Sequence, residues 1–109
     1  MGYVEICRAI IDQAEDKNPA DKSGQTPLHE SAYKGNLKIC KLIITNAKVK
    51  NPKDKIGQTP LHIAVQLNNI KLCKLILENV GDWYPADKYG KTPRDIAWRK
   101  NRLDIYQLF

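Results

Sequence analysis

Apolar side chains recur along this chain at helical spacing, in two alternating kinds of segment. In the stretch Leu37-Lys-Ile-Cys-Lys-Leu-Ile-Ile44, the residues Leu37, Ile39, Cys40, Leu42, Ile43 and Ile44 make a broad apolar stripe, with Lys38 and Lys41 on the other side. This predicts an amphipathic helix. The same pattern returns over residues 4–11, over 70–77 and, shortened, over 103–109. Between these segments lie shorter apolar runs that open on Thr26-Pro27, Thr59-Pro60 and Thr92-Pro93. Threonine at a helix N-cap accepts a backbone N–H, and proline suits the next position, so each Thr-Pro predicts a helix start. Gly35, Asn68 and Asn101 tolerate the left-handed conformation and end these short helices after about two turns. From 46 to 57 the chain turns polar and includes Pro52, which predicts an extended loop ending in the turn Asp54-Lys55-Ile56-Gly57.

The segments repeat with a fixed period. Cys7, Cys40 and Cys73 are each 33 residues apart. The same step carries Asp21-Lys-Ser-Gly-Gln-Thr-Pro-Leu-His29 onto Asp54-Lys-Ile-Gly-Gln-Thr-Pro-Leu-His62, and then onto Asp87-Lys-Tyr-Gly-Lys-Thr-Pro-Arg-Asp95. A period of about 33 bearing Thr-Pro-Leu-His resembles the ankyrin-repeat family, and the resemblance spans essentially the whole chain. It implies an all-α solenoid of stacked helix-turn-helix units with short β-turn or hairpin fingers. One domain, 1–109, is then expected to comprise four parts. Residues 1–20 form a partial repeat with only its second helix, 21–53 and 54–86 are full repeats, and 87–109 is a C-terminal capping repeat. A single repeat cannot bury its own apolar face, so neighbours must stack.

That logic makes both ends informative. Val4, Ile6 and Ile10 have no preceding first helix to cover them, which predicts self-association through that helix. At the other end Arg94-Asp95 replaces Leu-His, the more polar form expected of a closing repeat. Where the family places glycine after the second helix, this chain has Ala14, Ala47 and Val80. Trp83-Tyr84 replaces Lys50-Asn51 of the preceding repeat, marking either packing against the last repeat or an exposed contact.

Composition narrows the class. With 42% hydrophobic residues in 109, the chain suits one folded domain rather than a disordered tail. The start lacks a basic-then-apolar signal peptide, and no run reaches the roughly 18 apolar residues of a membrane span, so an intracellular, cytoplasmic setting is expected. A net charge of +6 favours acidic partners. Three cysteines without CxxC spacing or a histidine cluster indicate reduced, buried thiols, neither disulfides nor a zinc site.

Candidate chemistry dissolves into the repeat. His29 and His62 have no second ligand at metal spacing, and the resemblance implies that they bond the adjoining threonine and the neighbouring turn. Asp21, Asp54 and Asp87 precede turn glycines, where a carboxylate bonds its own backbone. Gly24, Gly57 and Gly90 stand one per turn and make no phosphate cradle. No enzyme, cofactor or metal is expected.

What remains is surface. The resemblance implies binding through finger tips and the exposed side of the first helices. In this chain those positions are Lys22, Ser23, Gln25, Tyr33 and Lys34, then Lys53, Lys55, Ile56, Gln58, Gln66 and Leu67, then Lys88, Tyr89, Lys91, Arg99 and Lys100. Eight of these sixteen are basic and none is acidic. The expected function is a protein-interaction scaffold for an acidic surface or peptide, with Tyr33, Ile56, Leu67 and Tyr89 as anchors. The alternatives are a spacer within a longer solenoid or, less favoured, a surface for nucleic acid or anionic lipid. Two tyrosines make no ladder of stacking aromatics for nucleic acid.

Overall fold

A computed structural model describes residues 24–47 and 50–109. The expected partial repeat over 1–20, with Val4, Ile6, Cys7 and Ile10, lies outside the described residues, as do Asp21, Lys22 and Ser23.

Helices come in pairs. The first pair is α1 (Pro27–Lys34) and α2 (Leu37–Asn46), the second α3 (Pro60–Gln66) and α4 (Ile70–Asn79), the third α5 (Pro93–Arg99) and α6 (Leu103–Tyr106). Each first helix starts as the Thr-Pro signal requires. The Thr26, Thr59 and Thr92 side chains accept the backbone N–H of the third helical residue, while that residue's own side chain accepts the threonine N–H. These reciprocal bonds satisfy two donors that a bare helix end would leave open. The chain then reverses through Gly35, Asn68 and Asn101, whose φ values of 68°, 57° and 58° are left-handed.

Asn36 and Asn69 open the second helices, their side-chain oxygens accepting from Ile39 N–H and Leu72 N–H. Arg102 holds the corresponding place before α6 and supplies no such cap, which matches a helix of only 4 residues there. At the far ends, Ala47 and Val80 leave their helices in extended conformation, so the glycine absent from these positions is not needed for a left-handed exit. Lys50 Nζ donates to the carbonyl of Ile44, and 33 residues on Trp83 Nε1 donates to the carbonyl of Leu77. Two unlike side chains thus close equivalent helix ends. The Trp83 ring also meets Phe109 edge-on at 6.5 Å, and Tyr84 lies 6.1 Å from the same ring, so this irregular pair packs against the last repeat.

First helices stack on first helices and second helices on second, giving two layers with the core between. Leu28, Ala32, Leu61, Ala64, Val65, Ile96 and Ala97 fill one side; Ile39, Cys40, Ile43, Leu72, Cys73, Ile76 and Ile105 fill the other. Each fully buried leucine or isoleucine contributes about 1.5–3 kcal/mol. No strand occurs among the described residues, and the fingers are turns.

Candidate interaction surface

The fingers are built by aspartate. Asp54 Oδ1 accepts the N–H groups of Ile56 and Gln58 at 3.0 and 2.9 Å. Asp87 Oδ1 repeats this with Tyr89 and Lys91 at 2.8 and 2.9 Å. Neighbouring fingers are then tied to each other: Lys88 N–H donates to Ile56 O at 2.9 Å, Gln25 Nε2 to Asp54 Oδ2 at 2.9 Å, and Lys53 Nζ to Ala86 O at 3.0 Å. The approach is close enough that a Cβ on Gly57, where φ is 80°, would stand 2.8 Å from Asp87 Cα. Side chains at the tips are therefore held on a rigid ladder.

His29 and His62 belong to that ladder. Thr59 N–H points at His62 Nδ1 at 3.1 Å, so Nδ1 must accept and the ring proton sits on Nε2. Nε2 donates to the carbonyl of Lys91 in the next finger at 2.9 Å. His29 does the same between Thr26 N–H and the carbonyl of Gln58, at 3.1 and 2.8 Å. Both rings are fully buried. Burial holds the His62 pKa below its ordinary value, outweighing the opposing bond to Lys91. These are neutral, structural histidines. Burial pushes the Cys73 thiol up to about 12, which leaves no thiolate for nucleophilic chemistry at neutral pH. No group of three His, Cys, Asp or Glu that could hold a metal occurs among the described residues.

Of the described positions expected at the surface, Tyr33, Lys34, Lys53, Lys55, Ile56, Leu67, Lys88, Tyr89, Arg99 and Lys100 are exposed; Gln25, Gln58, Gln66 and Lys91 are half-buried. Two shallow depressions gather many of them. One, of about 450 Å³, brings Tyr33 and Lys34 together with Leu67. The other, of about 240 Å³, joins Gln58, Gln66, Tyr89, Lys91, Arg99 and Lys100. Gln25 is committed to Asp54, so it shapes the ladder rather than standing clear of it.

A third group escaped sequence reasoning. Trp98 is 64% exposed, its ring 5.3 Å from that of Tyr106, and the Arg94 guanidinium carbon lies 4.6 Å from the Tyr106 ring centre. The signal was present: 33 residues earlier the same positions hold Val65, Cys73 and Leu61, all buried, and a tryptophan and an arginine there interrupt a core pattern. Asp95, at the position of His62, accepts Thr92 N–H at 3.0 Å. Bonds from the Thr92 backbone and hydroxyl hold its carboxyl below the usual range, with Arg99 and Arg94 adding to this.

No helix among the described residues is long and apolar enough to cross a membrane. No curated protein matches the chain. The family model described as ankyrin repeats (3 copies) matches residues 1–54 and 48–109. With that match running from end to end, and with paired helices, Thr-Pro starts and histidine-tied fingers in place, the chain belongs to the ankyrin-repeat family.

Proposed function

We propose that this chain is a protein-binding module whose partner presents an acidic surface or peptide to the finger tips and the exposed side of the first helices. The observation that carries this reading is a coincidence of apolar and basic groups. Among the described residues, Tyr33 at 48%, Ile56 at 36%, Leu67 at 49% and Tyr89 at 67% are exposed at positions that likeness to the family implies for binding; Tyr84, Trp98 and Leu103 are exposed elsewhere. Lysines are interleaved with the first four.

Charge alone does not choose this face. Lys38, Lys41, Lys71 and Lys74 are exposed on the second helices, so positive charge also covers the outer side. Lys71 itself lines the depression of Tyr33 and Leu67 and so adds to this face, whereas α2 and α4, which carry Lys38, Lys41 and Lys74, bear no exposed large apolar side chain of their own. Aromatic and aliphatic anchors supply the desolvated contact that holds a partner, while surrounding cations speed encounter and reject cationic surfaces. Asp54 Oδ1 and Asp87 Oδ1 bond their own turns and Asp54 Oδ2 accepts from Gln25, and neither aspartate is exposed, so the exposed charge at the finger tips is that of Lys55 and Lys88.

The reading is tested by affinity capture from lysate with the native chain and with Lys55→Glu, Lys88→Glu and Lys91→Glu combined, circular dichroism confirming equal folding. Proteins retained by the native chain and lost by the variant, with retention falling as salt rises, support it. Identical lists favour a spacer.

A further inference from the structure

In α3 and α4, Leu61, Val65 and Cys73 are fully buried in the stack. The next turn of the repeat puts Arg94, Trp98 and Tyr106 at those positions. Tyr106 contacts both Trp98 and Arg94, and the three line a depression of about 400 Å³ together with Lys91 and Arg99. A ring already held by its neighbours loses little freedom when a ligand covers it, and exposed tryptophan is the side chain most enriched at binding hot spots.

The chemistry of the face selects its occupant. Lys91, Arg94 and Arg99 outnumber Asp95, the carboxylate beside them, one oxygen of which accepts Thr92 N–H. A further finger is poorly served here, because His29 and His62 each donate a proton to the next finger's carbonyl and a carboxylate at residue 95 has none to give. A second copy of the chain brings a net charge of +6 toward like charge. Tyr89, Lys91 and Arg99 line both this depression and the one in the groove, so a segment leaving the groove passes directly onto it.

We infer that the outward face of α5 and α6 is a second half of the partner site. It receives an acidic segment of the partner protein, whose aromatic or aliphatic side chain lies on Trp98 while its carboxylates meet Lys91, Arg94 and Arg99. This rests on the reading of the groove given above.

The test is a ¹⁵N titration of the full chain with a synthetic peptide, Glu-Glu-Tyr-Glu-Glu-Leu-Glu-Glu, and with a control in which serine replaces the tyrosine and leucine. The chain has two indole N–H signals, and that of Trp83, bonded to Leu77, reports the fold. The expected result is a shift of the Trp98 indole signal with the Trp83 signal unmoved, little effect from the control, and affinity lowered roughly tenfold or more by Trp98→Ala or Arg94→Glu. If Tyr33 and Leu67 amides shift while Trp98 stays silent and Trp98→Ala binds as tightly as the native chain, the end-face inference falls and the groove reading stands. Binding nowhere at low salt overturns both. Concentration-dependent broadening of Trp98 without peptide, abolished by Trp98→Ala, makes the face a contact between copies and overturns the acidic segment.

Discussion

His62 Nε2 stands 2.9 Å from the carbonyl oxygen of Lys91, so one proton on one imidazole ties α3 to the finger of the following repeat. The other ring nitrogen accepts Thr59 N–H and so cannot take a proton without losing that bond. Protonation therefore opposes both the helix cap and the neutral, buried ring.

The folded pKa of His62 lies below its ordinary value of 6.5, so the unfolded chain takes up this proton first as pH falls. The stabilisation is fully present above pH 6.5 and is lost as pH drops from there toward the folded value. His62 accounts for at most about 1.4 kcal/mol per pH unit. Urea midpoints measured from pH 7.5 to 5 are expected to fall. The His62→Gln variant is less stable at pH 7.5 and has a shallower profile. Asp95, whose carboxyl is also held low, loses its contribution only below its ordinary 3.8, outside this window.

Gly57 and Gly90 share a conformation, with φ of 80° and 78°, but not surroundings. A Cβ on Gly57 would strike Asp87 Cα at 2.8 Å, whereas one on Gly90 meets nothing within 4 Å. Gly90→Ala is expected to cost about 1–2 kcal/mol for left-handed backbone. Gly57→Ala adds roughly 1–3 kcal/mol of crowding on top. Equal losses in chemical denaturation would show that the fingers do not press on each other.

Those two glycines also mark what was legible in the sequence. The first-helix starts and the turns were readable because the deciding bonds are local: Thr59 to the residue three places on, Asp54 to Ile56. The period then implied the stacking. Contacts fixed only by how repeats meet were not readable, or only as one of two alternatives: the Gln25 bond to Asp54 and the exposure of Trp98 were not foreseen, and the packing of Trp83 on Phe109 was left open against an exposed contact. The break in the core pattern at residues 94 and 98 was visible in the sequence, but whether residue 98 is core or surface depends on what covers it.

Asn69 caps α4 through Oδ1, and Arg102 occupies the same repeat position without capping α6; its buried Nε has no hydrogen-bond partner. Asn69→Ala is expected to cost about 1 kcal/mol. Arg102→Asn is expected to gain about 0.5–1 kcal/mol by supplying a cap and removing an orphaned donor, less whatever the Arg102 bond to the Gln66 carbonyl contributes. Thermal midpoints of the two variants should move in opposite directions.

Cys40 and Cys73 are fully buried, and the Cys73 thiol is pushed up to about 12. Alkylation at pH 8, followed by peptide mass spectrometry, is expected to leave both unmodified until denaturant opens the stack. Their labelling rates then report opening of the second-helix layer. Fast labelling of Cys73 in the native chain would show that α4 leaves the core readily.

Tyr33 and Leu67 lie together over a depression of about 450 Å³, each about half exposed. Because neither belongs to the buried core, replacing both with serine should change stability by no more than about 0.5 kcal/mol per site. If they anchor a partner, the same double variant loses proteins captured by the native chain even where its lysines, and hence its salt-dependent attraction, are intact. That separation matters because a solvated lysine surface and an interaction surface carry the same charge. Charge reversal at Lys55, Lys88 and Lys91 weakens either kind of electrostatic capture, whereas serine at 33 and 67 weakens only binding that buries those two side chains. Capture that survives the serine variant but not the charge variant would point to non-specific attraction.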